Sequence, residues 1–325
     1  MTTKRSIAFI TGTGDLLNLY LYWFNSEYSE TQLFIVLFGS EGNISPTHME
    51  ATRRIAEKSI SNSKFCYIDN KIDNYLAHVF DYFQLDFDSR FECLFLTHAY
   101  GKMELAISES ISTQKKVLIE NGIATYEPPK NRIKQSRQIY FDEAWLPLSP
   151  VLGAPPYLEK TKISKPTNNE YQKGVKQLAA NAQAKTKADA FVIGTSLYRL
   201  GIISLAEEIE VYSSFINSLI KDSNIEIILW KPHPRMQSLE IDIFKNIPKV
   251  IVVDEDHPIE FEFSTRQNAG AVCASIASSA LLSGRLYYNY TPIILEGHLQ
   301  NTDRLPHIQM IQNNIREQEM TDVSI

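Results

Sequence analysis

Cysteine is scarce: Cys66, Cys93 and Cys273 are the only three in 325 residues, far apart and without Cys-x-x-Cys or Cys/His ligand spacing. That argues against a disulfide framework and a structural zinc, and it fits a reducing, cytoplasmic compartment. Long apolar runs are missing too. The opening MTTKRSIAFITGTGD is broken by Thr-Gly-Thr-Gly-Asp before a signal-peptide core can form. Later runs such as 33–38 fall far below the roughly 20 residues of a membrane span, which leaves at most a peripheral contact at the inner face of the cytoplasmic membrane. Positive charge is not in excess either. Against 38 Asp and Glu stand 32 Lys and Arg, a net charge of −6, so the chain as a whole is not a nucleic-acid binder. Neither an internal repeat nor a low-complexity tract is present. What the chain has is apolar material, 44% of residues with 22% charged, the profile of a soluble globular protein long enough for two domains.

Short runs rich in β-branched and aromatic residues recur at 6–10, 33–38, 64–68, 93–97 and 116–120, and again at 190–193, 225–230, 250–253, 270–274 and 292–295. Between them, stretches such as 46–60 and 205–220 carry apolar residues at helical spacing. This alternation predicts βαβ units and parallel sheets, and two sets of strands predict two Rossmann-like doubly wound α/β domains facing a central cleft. Pro147, Pro150, Pro155, Pro156 and Pro166 mark the break, with Asn168-Asn169 just beyond. The expected domains are therefore 1–160 and 161–325, a helix near 170–184 joining linker to second domain.

Three segments at expected strand ends carry chemistry. The first is Glu120-Asn121-Gly122, a carboxylate at the end of an apolar strand followed by a turn. Ligands of open α/β sheets bind outside the carboxyl ends of strands, so Glu120 is either a base facing that crevice or a solvated turn residue. The second is Lys231-Pro232-His233-Pro234-Arg235, where two prolines stiffen a loop bearing three phosphate-compatible groups. Its plain alternative is a rigid exit turn with surface cations. In the third, a buried strand runs into Ser278-Ser279 and then a helical pattern. A helix N-terminus there suits a phosphate or carboxylate, while serine capping explains the same residues without a ligand.

Other features are weaker. Gly12-Thr13-Gly14 follows a strand but completes neither a dinucleotide fingerprint nor a P-loop, so it reads as a tight turn in which Asp15 caps the helix or touches a ligand. Asp86-Phe87-Asp88 and Asp254-Glu255-Asp256 read as solvated loops, and His98 as a hydrogen-bonded strand-end histidine. Lys130, Arg132, Lys134 and Arg137 form a basic stretch without an acidic residue, either a solvated face or a contact for an anionic acceptor or lipid surface.

Taken in order, a carboxylate-x-Gly, a His-Pro and a serine pair resemble the motifs of bacterial GT-B-type sialyltransferases, notably the lipooligosaccharide sialyltransferase and capsule polysialyltransferase families. Asn121 stands where those families carry a second acidic residue, which keeps other nonulosonic acids, such as legionaminic or pseudaminic acid, open as donors. The resemblance implies an inverting, metal-independent transfer from a CMP-activated sugar, with no further cofactor, to a glycan or glycolipid acceptor in lipooligosaccharide or capsule. It implies Glu120 as general base and His233 as the group stabilising the leaving CMP phosphate. Lys231, Pro234, Ser278, Ser279 and the pair Gly194-Thr195 are expected on the donor side. Gly12, Thr13, Asn121, Gly122, Lys130 and Arg132 are expected on the acceptor side. Two alternatives stay open: a transferase using a UDP-, GDP- or ADP-sugar, with Glu260 on the donor ribose, and a non-catalytic sugar- or nucleotide-binding protein.

Overall fold

The computed structural model describes residues 4–39, 46–69, 74–127, 138–179, 185–233, 236, 242–253, 257–297, 299 and 306–322. It divides into two compact units, Met1–Leu178 with Asp256–Pro258, and Ala179–Glu255 with Ile259–Ile325. Each holds one parallel sheet with helices in its crossovers, the two-unit α/β class expected from the strand–helix alternation.

In the first unit the strands are β1 (Arg5–Ile10), β2 (Gln32–Gly39), β3 (Ser63–Asp69), β4 (Arg90–Leu96), β5 (Ser112–Ile119), β6 (Glu143–Trp145) and β7 (Lys162–Ser164). Their order is β3-β2-β1-β4-β5-β6-β7. Strands β1, β2 and β4 are buried at nearly every position, which is why they read as unbroken apolar runs: helices cover both faces. The order reverses between β1 and β4, and such a switch point opens a crevice at the strands' carboxyl ends. Helix α1 (Thr13–Phe24) follows β1 and packs against α2 (Pro46–Ser59). Helices α3 (Tyr75–Phe83) and α4 (Lys102–Ser110) make the next crossovers.

Strands β6 and β7 lie inside the proline-rich stretch, and at three residues each they are too short to show alternation. Between them is the short helix α5 (Ser149–Leu152). Helix α6 (Asn168–Leu178) then returns to pack on α1. The first unit therefore runs through Leu178, beyond the expected border near 160, because β7 extends its sheet and α6 covers its first helix.

The second unit has strands β8 (Ala190–Ile193), β9 (Ile228–Lys231), β10 (Val250–Val252), β11 (Val272–Ser275) and β12 (Thr291–Ile294), in the order β10-β9-β8-β11-β12. Its switch point lies between β8 and β11. Strand β9 begins three residues later than the apolar run suggests, since the Glu226 and Ile227 amides donate to Asp189 Oδ2 at 2.8 and 3.0 Å. Helices α7 (Leu205–Lys221), α8 (Ile259–Thr265), α9 (Ala280–Tyr288) and α10 (Pro306–Asp322) complete it. Trp230, between Tyr212 and Phe244, anchors its core. Among the described residues, no helix is long and apolar enough to cross a membrane.

The seat of α6 gives a direct test of the border. A side-chain carbon at Gly174 would run into Leu21 Cδ2, so Gly174→Val must displace the buried Leu21 or push α6 off α1. Overpacking of this kind costs about 1–3 kcal/mol. Urea unfolding should show that loss in the transition of the first unit; an unchanged midpoint would mean that α6 does not belong to that core.

Candidate functional site

In the first unit, the chain leaving β1, β4 and β5 supplies the candidate groups. After β1, Asp15 sits in the first turn of α1, 4% exposed, and its Oδ2 accepts from both the Thr11 amide and the Thr11 hydroxyl at 2.7 Å. Burial pushes this carboxyl above the ordinary aspartate range, while the Thr11 donors and the nearby His98 pull it back. Gly12 lacks a side chain for a local reason. A carbon there would stand 3.1 Å from His48 Nε2, so the imidazole lies directly over the turn. Thr13 is buried in the first turn of α1.

After β4 comes His98, whose Nδ1 lies 3.0 Å from Thr97 Oγ1 and 3.6 Å from Glu104 Oε1. Its Nε2 is 3.1 Å from Asn121 Nδ2. Asn121 is thus a partner of the β4 histidine, and its own amide donates to Thr125 Oγ1 at 2.7 Å. An amide side chain can either donate or accept here, so it matches His98 in either protonation state.

Glu120 closes β5. Its amide donates to Trp145 O at 3.1 Å, and its carbonyl accepts from Asn18 Nδ2 at 2.9 Å. The carboxylate is 2% exposed, and Oε2 accepts from the Tyr126 hydroxyl at 2.6 Å and the Leu148 amide at 2.9 Å. The solvated-turn alternative for Glu120 is therefore not what the chain adopts. Gly122, at φ 50°, opens the tight helical turn through Tyr126 that brings that hydroxyl back. Lys130 and Arg132 lie outside the described residues.

In the second unit, the chain leaving β8 and β9 forms one packed pair of loops. The Gly194 amide donates to Lys231 O at 2.9 Å. A side chain at Gly194 would stand 3.1 Å from the His233 amide nitrogen and closer still to Met236. Glycine at this point is a condition for the two loops to touch. Thr195 turns inward: its hydroxyl donates to Glu208 Oε1 at 2.7 Å and lies 3.2 Å from the Tyr212 hydroxyl. The next residue, Ser196, places Oγ 3.1 Å from His233 Nδ1. Lys231 is buried at the end of β9, and Pro234 lies outside the described residues.

Across the switch point, Ser278 and Ser279 precede α9. The Ser278 hydroxyl accepts from the Ala280 amide at 3.3 Å, and the Ser279 side chain makes no capping bond. Glu260 faces α9, where its Oε1 accepts from the Ser283 hydroxyl at 2.9 Å; burial raises its carboxyl above the usual range.

The structure thus gathers Gly12, Thr13, Glu120, Asn121 and Gly122 at the carboxyl edge of the first sheet. It gathers Gly194, Thr195, Lys231, His233, Ser278 and Ser279 at that edge of the second. Sequence reasoning missed Tyr126, Ser196 and Glu208. Ser204 with Glu207 was the available signal for the third, a capping pair that fixes the start of α7 and so places Glu208 in its first turn. Nothing local marks the other two.

The family model described as alpha-2,8-polysialyltransferase (POLYST) matches residues 7–296. No curated protein matches the chain. Among solved structures, a UDP-GlcNAc 2-epimerase from Methanocaldococcus jannaschii is similar with a TM-score of 0.53 at 12% identity, covering 97% of this chain and 92% of that one. A UDP-N-acetylglucosamine 2-epimerase from Rickettsia bellii gives 0.52 at 11% identity, covering 96% and 88%. The GT-B domain of a sialyltransferase from Photobacterium damselae gives 0.48 at 13% identity, covering 86% and 88%. At these identities the epimerase likenesses show a shared fold.

Asp15 supplies a test that needs no ligand. Its native pKa is raised above the ordinary 3.8, so ionising it costs the folded state more than the unfolded one. The stability it contributes is full below about 3.8 and is lost as pH rises through the native value. Asp15→Asn keeps an acceptor for Thr11 and does not titrate. Urea unfolding from pH 4 to 8 should show the variant gaining on the wild type as pH rises. A gap moving the other way would mean that the carboxylate is stabilised by its surroundings.

Proposed function

Because the chain belongs to the alpha-2,8-polysialyltransferase family, whose model spans its residues 7–296, we propose that it moves sialic acid, or a related nonulosonic acid, from a CMP-activated donor to a hydroxyl of a surface glycan. It is a glycosyltransferase of the sialyltransferase type. The family's name supports a sialic acid at the acceptor end; lipooligosaccharide or capsule as the carrier of that acceptor is part of the same proposal.

The observation that carries the mechanism is the way Glu120 is held. Two donors on one carboxylate oxygen fix the plane of the group, and burial keeps bulk water from competing for it. The acceptor hydroxyl attacks the quaternary anomeric carbon of the donor on the face opposite the phosphate. As the new C–O bond forms, the bond to the CMP oxygen breaks and the hydroxyl proton passes to Glu120. One displacement inverts the configuration. On the second unit, His233 donates a hydrogen bond to the departing phosphate and stabilises its growing charge. Lys231 adds positive charge beside the same strand end. Ser278 and Ser279, before α9, suit the phosphate or the donor carboxylate. CMP is a good leaving group and these donors neutralise it, so the reaction needs no metal.

Glu120→Gln tests the base with the fold kept, since the amide oxygen still accepts from Tyr126 and Leu148. Transfer from CMP-sialic acid should fall by about 100-fold or more, with a melting temperature near that of the wild type. A rate within about threefold of wild type would remove Glu120 from the role.

A further inference from the structure

Among the described residues, Ser196 is one of a few non-glycine residues in the left-handed region, at φ 56°. That conformation is unfavourable for a residue with a Cβ and persists only when its surroundings impose it. Here they do. Glu208, 1% exposed on α7, grips the chain on both sides of Ser196. Its Oε1 accepts from the Thr195 hydroxyl at 2.7 Å and the Leu197 amide at 3.2 Å, and its Oε2 from the Tyr198 amide at 3.0 Å. Tyr212 adds a brace below, its hydroxyl donating to Ile193 O at 2.9 Å. The other loop is equally constrained, with Pro232 setting the approach to His233 and the Met236 amide donating to His233 O at 2.8 Å. Glycine at 194 lets the two loops close to contact. A buried carboxylate, a strained backbone and a missing side chain all serve one outcome: a serine hydroxyl 3.1 Å from His233 Nδ1.

We propose that Ser196 is the positioning residue of His233, held in place by Glu208. The Ser196 hydroxyl donates to Nδ1, so the imidazole carries its proton on Nε2 and turns that N–H toward the leaving phosphate. This rests on the reading of His233 as the leaving-group donor. It adds the device that selects the tautomer and fixes the ring's rotation. Glu208 acts on His233 through the 195–198 turn, whose Thr195 hydroxyl and Leu197 and Tyr198 amides it holds.

The tautomer is tested without turnover. Imidazole 15N shifts of His233 in the intact wild-type protein should report the neutral Nε2–H form, and Ser196→Ala should shift the ring toward a mixture of tautomers. A wild-type ring protonated on Nδ1, or a tautomer unmoved by the substitution, would overturn the proposal.

Kinetics with CMP-sialic acid and an oligosialic acceptor test its consequence. In Ser196→Ala, kcat should fall by about tenfold, the worth of one well-made hydrogen bond, with the Kd of CMP within about threefold of wild type. Ser196→Gly separates catalysis from structure, because glycine relieves the left-handed strain. Its melting temperature should hold or rise while kcat falls as in the alanine variant. The double variant Ser196→Ala/His233→Ala should be no slower than His233→Ala alone. Wild-type kcat in both serine variants, or a further tenfold loss in the double, would overturn the role of Ser196 alone. If His233→Ala itself turned over at the wild-type rate, the leaving-group reading would fall, and the 15N result would still decide what Ser196 does to the ring.

Discussion

Buried carboxylates that accept from backbone amides and hydroxyls hold the carboxyl edges of both sheets. A parallel sheet ends its ladder abruptly, and the chain beyond must find new partners for its polar groups. Glu120 provides one anchor in the first unit, drawing in the Tyr126 turn and the amide of Leu148. Asp15 provides another, closing the turn after β1 on Thr11. Glu208 does the same in the second unit for the turn after β8. A carboxylate left unpaired at this depth would cost several kcal/mol, so each of these turns is closed or the local fold is lost.

That constraint explains why loops can serve as a rigid site. Loops usually gain mobility from exposed, weakly bonded backbone. The 194–198 and 231–233 segments instead have their groups bonded inward, and Gly194 allows them to pack on one another. On the first sheet, Asn121 links the β5 turn to His98 after β4, so neighbouring strand ends are tied across the sheet as well as along it. Preorganisation of this kind is what the proposed transfer requires, because fixed donors can meet a developing charge without rearrangement.

The longer strands were legible because they are buried on both faces and run as unbroken apolar stretches, as 33–38 and 93–97 do. Strands β6 and β7 were not, since Glu143 and Lys162 place charges at their first positions and three residues leave no period to detect. Glu143 is satisfied by Lys115 at 2.8 Å, a partner on β5 that no local pattern announces. The domain border was displaced for the same reason: the packing of α6 on α1 is a long-range contact through Gly174 and Leu21. At the site, Glu120 and His233 were visible as polar residues at strand ends. The residues that hold them, Tyr126 and Ser196, were invisible because their roles come from turns that only the folded backbone defines.

The central claim is a nucleotide site matched to CMP. Melting temperatures with saturating CMP, UDP, GDP and ADP, each with and without EDTA, test it most directly. At a hundredfold excess over Kd, a bound nucleotide adds about 2.7 kcal/mol to the stability of its unit. The account predicts stabilisation by CMP alone, undiminished by EDTA. Stabilisation by UDP, GDP or ADP in its place, or by none of the four, would contradict it.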